Sequence, residues 1–196
     1  MTIILASQSS ARRAVLIGAG VAHDAVVAGV DEDAAKVSLL ADGAGPRAVA
    51  DALAELKALA VSQVREGFVI GADQTLDLDG ELYDKAADLA AARARLQLLR
   101  GRTHKLHSAV VVAKDGAAIW REVVSASLTM RDFSDAFLEA YLAEEGPHAL
   151  GSVGCYRLEG PGAQLFSKIE GDYFAILGLP LMGLLDLLRR HGELAA

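Results

Sequence analysis

Short apolar runs alternate along this chain with segments whose apolar residues recur every three or four positions, and that alternation constrains the fold more than any other feature. Thr2 to Ala6 is the first run. The polar stretch Ser7 to Ser10 bounds it, and Val15, Leu16 and Ala19 then follow at helical spacing until Gly18 and Gly20. Strand, loop and helix in that order form the repeating unit of an α/β sheet, and the ends of its strands are where ligands bind.

The remaining chain reads in the same way. Ala25 to Val30 is a second strand that stops at Asp31, Glu32 and Asp33, which sets Glu32 just past a strand end, and a loop follows around Asp42 to Gly45. Pro46 suits a first helical turn, and Val49, Leu53, Leu56, Ala60 and Val64 extend the longest helix to about five turns. Phe68 to Ala72 reads as a strand ending at Asp73, and Leu76 to Leu82 as a hairpin about Asp79-Gly80. Asp88 caps a helix with Leu89, Ala92, Leu96 and Leu99 on its apolar face. Leu106 to Ala113, the Asp115-Gly116 turn and Ala118 to Met130 form a long β-hairpin. Ser134 caps a helix through Glu144, Gly151 to Gly162 is loop-like, and Leu165 to Ile169 and Tyr173 to Leu177 read as strands. Pro180 opens a last helix ending near His191. The expected fold is α/β, a mixed twisted sheet with flanking helices and a long hairpin.

At 196 residues, 53% hydrophobic and 23% charged, the chain is long enough to bury its own core, and residues 1–196 are expected to form a single domain. No apolar run approaches the roughly 18 residues that cross a bilayer, and no basic leader opens the sequence, so a cytoplasmic location without membrane contact is expected. The one cysteine, Cys155, reads as a buried small hydrophobe, and five scattered histidines give no metal spacing. A net charge of −7 argues against nucleic acid as partner, so any anionic ligand must be met by local cations. G-x-G-x-x-G after a strand, Walker A, G-x-S-x-G and H-E-x-x-H are all missing.

Ser7, Ser9 and Arg12 gather at the first strand-to-helix junction, where free backbone N–H groups and the helix dipole favour an anion. The plainer alternative makes Ser9 a helix cap and leaves Arg12 and Arg13 in solvent. Asp73 ends a buried apolar run, so its carboxylate needs a donor, a cation or an Asx turn. Lys57 flanks the apolar face of its helix, Lys85 follows the hairpin, and Glu159 lies in a glycine-rich loop; a solvated charge is the ordinary reading of each.

In combination these elements are specific. Leu5-Ala6-Ser7-Gln8-Ser9-Ser10-Ala11-Arg12 resembles the opening L-A-S-x-S-P-x-R block of the Maf family of nucleoside triphosphate pyrophosphatases. The resemblance continues through Val30-Asp31-Glu32, Leu56-Lys57-Ala58, Ile70-Gly71-Ala72-Asp73 with Lys85, Gly154 to Gly160, and Gly171-Asp172-Tyr173 through Leu181. It implies a Maf/ITPase-like fold with a ligand cleft between two lobes. The implied activity is hydrolysis of the α–β phosphoanhydride of a nucleoside triphosphate, giving monophosphate and pyrophosphate with a divalent cation, Mg²⁺ or Mn²⁺. By the same resemblance Glu32 and Asp73 hold the metal, and Asp73, Lys57 and Lys85 are catalytic. Ser7, Ser9, Arg12 and Arg13 bind the substrate, and a homodimer is one expected assembly.

Two prolines of the family pattern are replaced, by Ser10 and Ala86. In the family the positions of Ala11, Gln74 and Glu159 set base preference, and Gln74 and Glu159 resemble the subfamily acting on 7-methyl-GTP, which carries Trp where this chain has Ala11. The expected substrate is therefore 7-methyl-GTP or a related modified nucleotide, a house-cleaning activity. A dTTP/UTP pyrophosphatase and a nucleotide-binding regulatory protein without turnover are the alternatives.

Overall fold

The computed structural model describes residues 2–195; Met1 and Ala196, the ends of the expected domain, lie outside them. Strand β1 (Ile3–Ala6) is buried throughout and hands the chain to helix α1 (Ser10–Gly18), whose N-cap Ser9 accepts a bond from the Arg12 amide. Strand β2 is only Asp24–Ala25, paired with Ile4 and Leu5, and β1 ends one residue later at Ala6, too short to pair a strand reaching Val30. The rest of the expected Ala25–Val30 strand is irregular, with Val27 63% exposed. Glu32 therefore does not follow a strand end. It opens helix α2 (Glu32–Ala41), capped by Asp31, in a stretch to which the sequence reading assigned no helix; the expected loop around Asp42 to Gly45 follows it.

Helix α3 (Pro46–Ser62) lies across strand β3 (Phe68–Leu78). The contact depends on Gly71, where a Cβ would stand 2.1 Å from the Ala54 carbonyl oxygen and 2.6 Å from the Ala58 nitrogen. β3 turns at Asp79 and Gly80, both at positive φ, into β4 (Glu81–Tyr83). That geometry is the two-residue hairpin turn favoured by Asp-Gly. Helix α4 (Leu89–Leu99) has its Asp88 cap, and β5 (Thr103–Lys114) and β6 (Ala117–Met130) form the long hairpin. Helix α5 (Asp135–Glu145), strand β7 (Phe166–Glu170), helix α6 (Tyr173–Ile176) and helix α7 (Leu181–Arg190) complete the chain. The expected Tyr173–Leu177 strand is instead the short α6, because Asp172 caps it by accepting the Ala175 amide at 2.7 Å.

The sheet order is β2-β1-β3-β5-β6-β7, with β4 beside β3; β1 is parallel to both neighbours and the remaining pairs are antiparallel. Asp73 does not terminate its strand, contrary to the sequence reading. It sits mid-β3, at the level where β1 stops: β1 pairs β3 up to Gly71, β4 takes over at Leu76, and β5 pairs it throughout on the other side.

One face of the sheet carries two hydrophobic cores. Phe68, Ile70 and Ala72 of β3 join Leu16 and Leu184 in one. Leu76 and Leu78 join Leu96, Leu128 and Leu138 in the other. Between them the directly paired Gln74 and Ser108 interrupt the apolar pattern, and the cleft opens at this seam.

Candidate active site

A cleft of about 1050 Å³ runs past the carboxyl end of β1, the start of α1 and the unpaired edge of β3, and it is walled on the far side by the loop around Ser152 to Glu159. Asp73 and Gln74, being successive strand residues, point to opposite faces, yet both line this cleft, which opens along the edge of β3 left unpaired between β1 and β4.

Lys57 is the centre of the charged cluster. Its ammonium is 2.6 Å from Glu32 Oε2 and 2.7 Å from Asp73 Oδ1, and the residue is only 6% exposed. A buried ammonium costs free energy unless paired, and here two carboxylates compensate it. The sequence's ordinary reading, a lysine reaching for water, is thus replaced by a buried ion-pair triad. The close α3–β3 approach at Gly71, and the Thr75 hydroxyl donating to the Pro46 carbonyl at 2.8 Å, fix the helix that carries it.

Ser7, buried at the end of β1, accepts from the Ser9 amide at 3.2 Å and from Arg12 Nη1 at 3.1 Å. Arg12 Nε donates to the Gly178 carbonyl at 2.9 Å. Burial lowers the Arg12 pKa, and Asp73 and Glu32 oppose that shift from within the cluster. Lys85 is also lowered, by desolvation first and then by the cations Arg12 and Lys57, with Asp73 and Glu32 opposing. Five charges from five segments therefore feel one another in one cleft, and a polyanion added there would relieve the repulsion among the cations. Ser9 and Ala11 line the cleft with them, and Glu159 stands exposed on its rim. Arg13 is exposed on α1 and is not part of the cleft lining.

The two replaced prolines leave their loops held by other means. Ser10 is the first residue of α1, where the Ser9 cap already fixes the chain. The Lys85 segment is tied by Lys36, whose ammonium is 2.5 Å from Asp84, and by Arg95, which donates to the Asp84 and Val153 carbonyls at 2.9 Å each. Lys36 and Asp84 also line the cleft, and neither was singled out from the sequence. The capped acidic start at Asp31 was the signal for the helix that presents Lys36.

Glu32 and Asp73 supply only oxygen donors, which suits a hard divalent cation such as Mg²⁺ or Mn²⁺. No group of three or more His, Cys, Asp or Glu residues suited to a metal occurs among the described residues. The donor set thus fits a cation that takes its other ligands from phosphate and water. Cys155 is fully buried and free; burial pushes its thiol up, as expected of a packing residue rather than a nucleophile.

A family model described as Maf-like protein matches residues 2–191. The nucleoside triphosphate pyrophosphatase of Caulobacter vibrioides is 66% identical over 192 residues, covering 98% of this chain and 96% of its own length. That of Granulibacter bethesdensis is 54% identical, covering 99% of each chain. The 7-methyl-GTP pyrophosphatase of Brucella abortus is 50% identical over 190 residues, covering 96% of each.

Proposed function

The chain belongs to the Maf-like protein family, and on that footing we propose how its cleft works as a nucleoside triphosphate pyrophosphatase, with a guanine-type nucleotide as substrate and 7-methyl-GTP preferred. The observation that carries this reading is the convergence of Arg12, Lys57 and Lys85 on the Glu32–Asp73 pair beside the α1 N-terminus.

The triphosphate lies along the end of β1, where Ser7, Ser9 and the first amides of α1 donate to it and Arg12 and Lys85 offset its charge. Asp73 orients the attacking water and accepts its proton as the water oxygen bonds to phosphorus at the α–β bridge, and the pyrophosphate leaves on the bridging oxygen. Lys57 keeps Asp73 aimed at that water through its 2.7 Å contact. A divalent cation held by Glu32 and Asp73 would neutralise further phosphate charge.

Glu159 on the cleft rim supports the guanine assignment, since a carboxylate accepts both the N1–H and the N2–H of that base. The Gln74 amide is already spent on Ser108 and two backbone carbonyls, so its role in base choice does not run through its N–H groups. Among the described residues no helix is long and apolar enough to cross a membrane. A cytoplasmic house-cleaning enzyme, active as one domain, is consistent with that and with the net charge of −7.

Pyrophosphate release from a panel of 7-methyl-GTP, GTP, dTTP and UTP with Mg²⁺ or Mn²⁺ tests the proposal. Guanine nucleotides should turn over fastest, with GTP close behind its methylated form because Ala11 provides no indole face. Tenfold faster turnover of dTTP or UTP would overturn the guanine assignment, and no turnover of any nucleotide would return the protein to a binding role.

A further inference from the structure

A second cavity, of about 350 Å³, opens off the cleft between α1 and α6. It shares Ala11, Ala14, Leu177 and Glu159 with the main cleft, and Phe174 forms part of its inner wall. The space exists because Ala11, Ala14 and Gly18 make one small-residue stripe down α1, at helical spacing. Its walls are apolar apart from Glu159 at the mouth. Flat apolar faces with one acceptor at the edge suit a heteroaromatic ring.

Helix α6, which carries Phe174, is four residues long and cannot hold itself. Gln74 Nε2 donates to the Ala175 and Ile176 carbonyls at 3.1 and 3.0 Å and to Ser108 Oγ at 2.8 Å. Ser108 Oγ in turn donates to the Ala175 carbonyl at 2.6 Å. From the opposite side Arg12 Nε holds Gly178. The sheet and α1 thus hold the segment Ala175 to Gly178 from both ends, and Phe174 immediately precedes it.

We infer that Phe174 is the aromatic wall on which the nucleotide base stacks, and that Gln74 is a positioning residue which sets base preference by holding α6 rather than by touching the base. This rests on the nucleotide reading of the cleft and extends it to two residues. Gln74 has two N–H groups and three acceptors already in range, so it has none left for a ligand.

Calorimetric binding of GTP and of inorganic triphosphate, both without divalent metal, tests the inference in the full chain. Phe174→Ala should weaken GTP about tenfold or more, the range of one lost base–aromatic stack, and leave inorganic triphosphate within about twofold. Phe174→Tyr should restore GTP binding. Gln74→Ala should weaken GTP selectively as well, and should add nothing in the Phe174→Ala background, because its effect passes through that ring. Unchanged GTP binding by Phe174→Ala, equal loss of both ligands in Phe174→Ala and Phe174→Tyr, or additive effects of the two substitutions would overturn it. A wild-type chain that binds GTP through Phe174 and releases no pyrophosphate overturns the pyrophosphatase reading alone. Failure of the wild type to bind GTP overturns both.

Discussion

Arg12 and Gly178 stand 166 positions apart, yet the Nε of one donates to the carbonyl of the other at 2.9 Å. One guanidinium thereby joins the start of α1 to the turn that follows α6. Nη1 of the same group reaches Ser7 at 3.1 Å. An arginine is needed for this, because only its planar fork can hold two protein acceptors and still face an anion.

Replacing Arg12 by Ala should lower kcat/KM by about 10²-fold or more and also destabilise the protein, since the Ser7 and Gly178 contacts go with it. Lys85→Ala should match the loss of activity without the loss of stability, because Lys85 has no ion pair within the protein among the described residues. Pyrophosphate release and urea unfolding, measured on both variants, check the contrast. Activity within twofold of wild type would remove both cations from the mechanism.

Asp73→Asn keeps the volume and removes the charge, so hydrolysis should fall about 10³-fold with an unchanged far-ultraviolet spectrum. Turnover near the wild-type rate would remove Asp73 from the mechanism.

Gly71→Ala places a methyl where the Ala54 carbonyl and the Ala58 amide already stand. The α3–β3 spacing must open, at a cost of about 1 to 3 kcal/mol. Lys57 moves with the helix, so activity should fall further than stability alone explains. Full activity in a protein that unfolds at lower urea would show that the triad tolerates the shift.

His104 is 1% exposed, its Nε2 lies 2.7 Å from the Tyr156 hydroxyl, and burial pulls its pKa down from 6.5 to about 4. Between those values the unfolded chain binds the proton and the folded one does not. Stability is therefore whole above pH 6.5 and falls as the pH drops toward 4, by about 3 kcal/mol from this group. His104→Gln should flatten that part of the acid loss. Urea midpoints of both proteins at pH 7 and pH 4.5 would show it, and parallel losses would assign the acid sensitivity to other groups.

The elements with local signals were legible in the sequence. Asp79-Gly80 and Asp115-Gly116 took the left-handed turns they favour, and Ser9, Asp88 and Ser134 capped helices where expected. What failed depended on neighbours. Ala25 to Val30 has strand composition, but β1 ends at Ala6, one residue past the partner of Ala25, and is too short to pair the run to Val30. Asp73 looked like a strand end because an apolar run stopped there, whereas the strand continues and Lys57 meets its charge. The charged site residues implied by the family resemblance line one cleft, apart from Arg13. Phe174 lies inside the Gly171 to Leu181 block without being singled out by it, and the hold of Gln74 on α6 is a contact between distant segments that no block shows.

The placement of Asp73 and Gln74 on opposite sides of β3 has a bearing on how such an enzyme can change over generations. On the proposed reading the reaction belongs to the Asp73 face of the strand, where Lys57 meets its charge, and base choice to the Gln74 face, where Gln74 and Ser108 hold α6. A substitution on the Gln74 face reaches the Asp73 face through the β3 backbone, which β5 pairs from Val69 to Asp77, and through the Arg12–Gly178 contact. Substrate preference can therefore drift by small steps, each selectable, while the phosphoanhydride-cleaving apparatus stays intact beneath it.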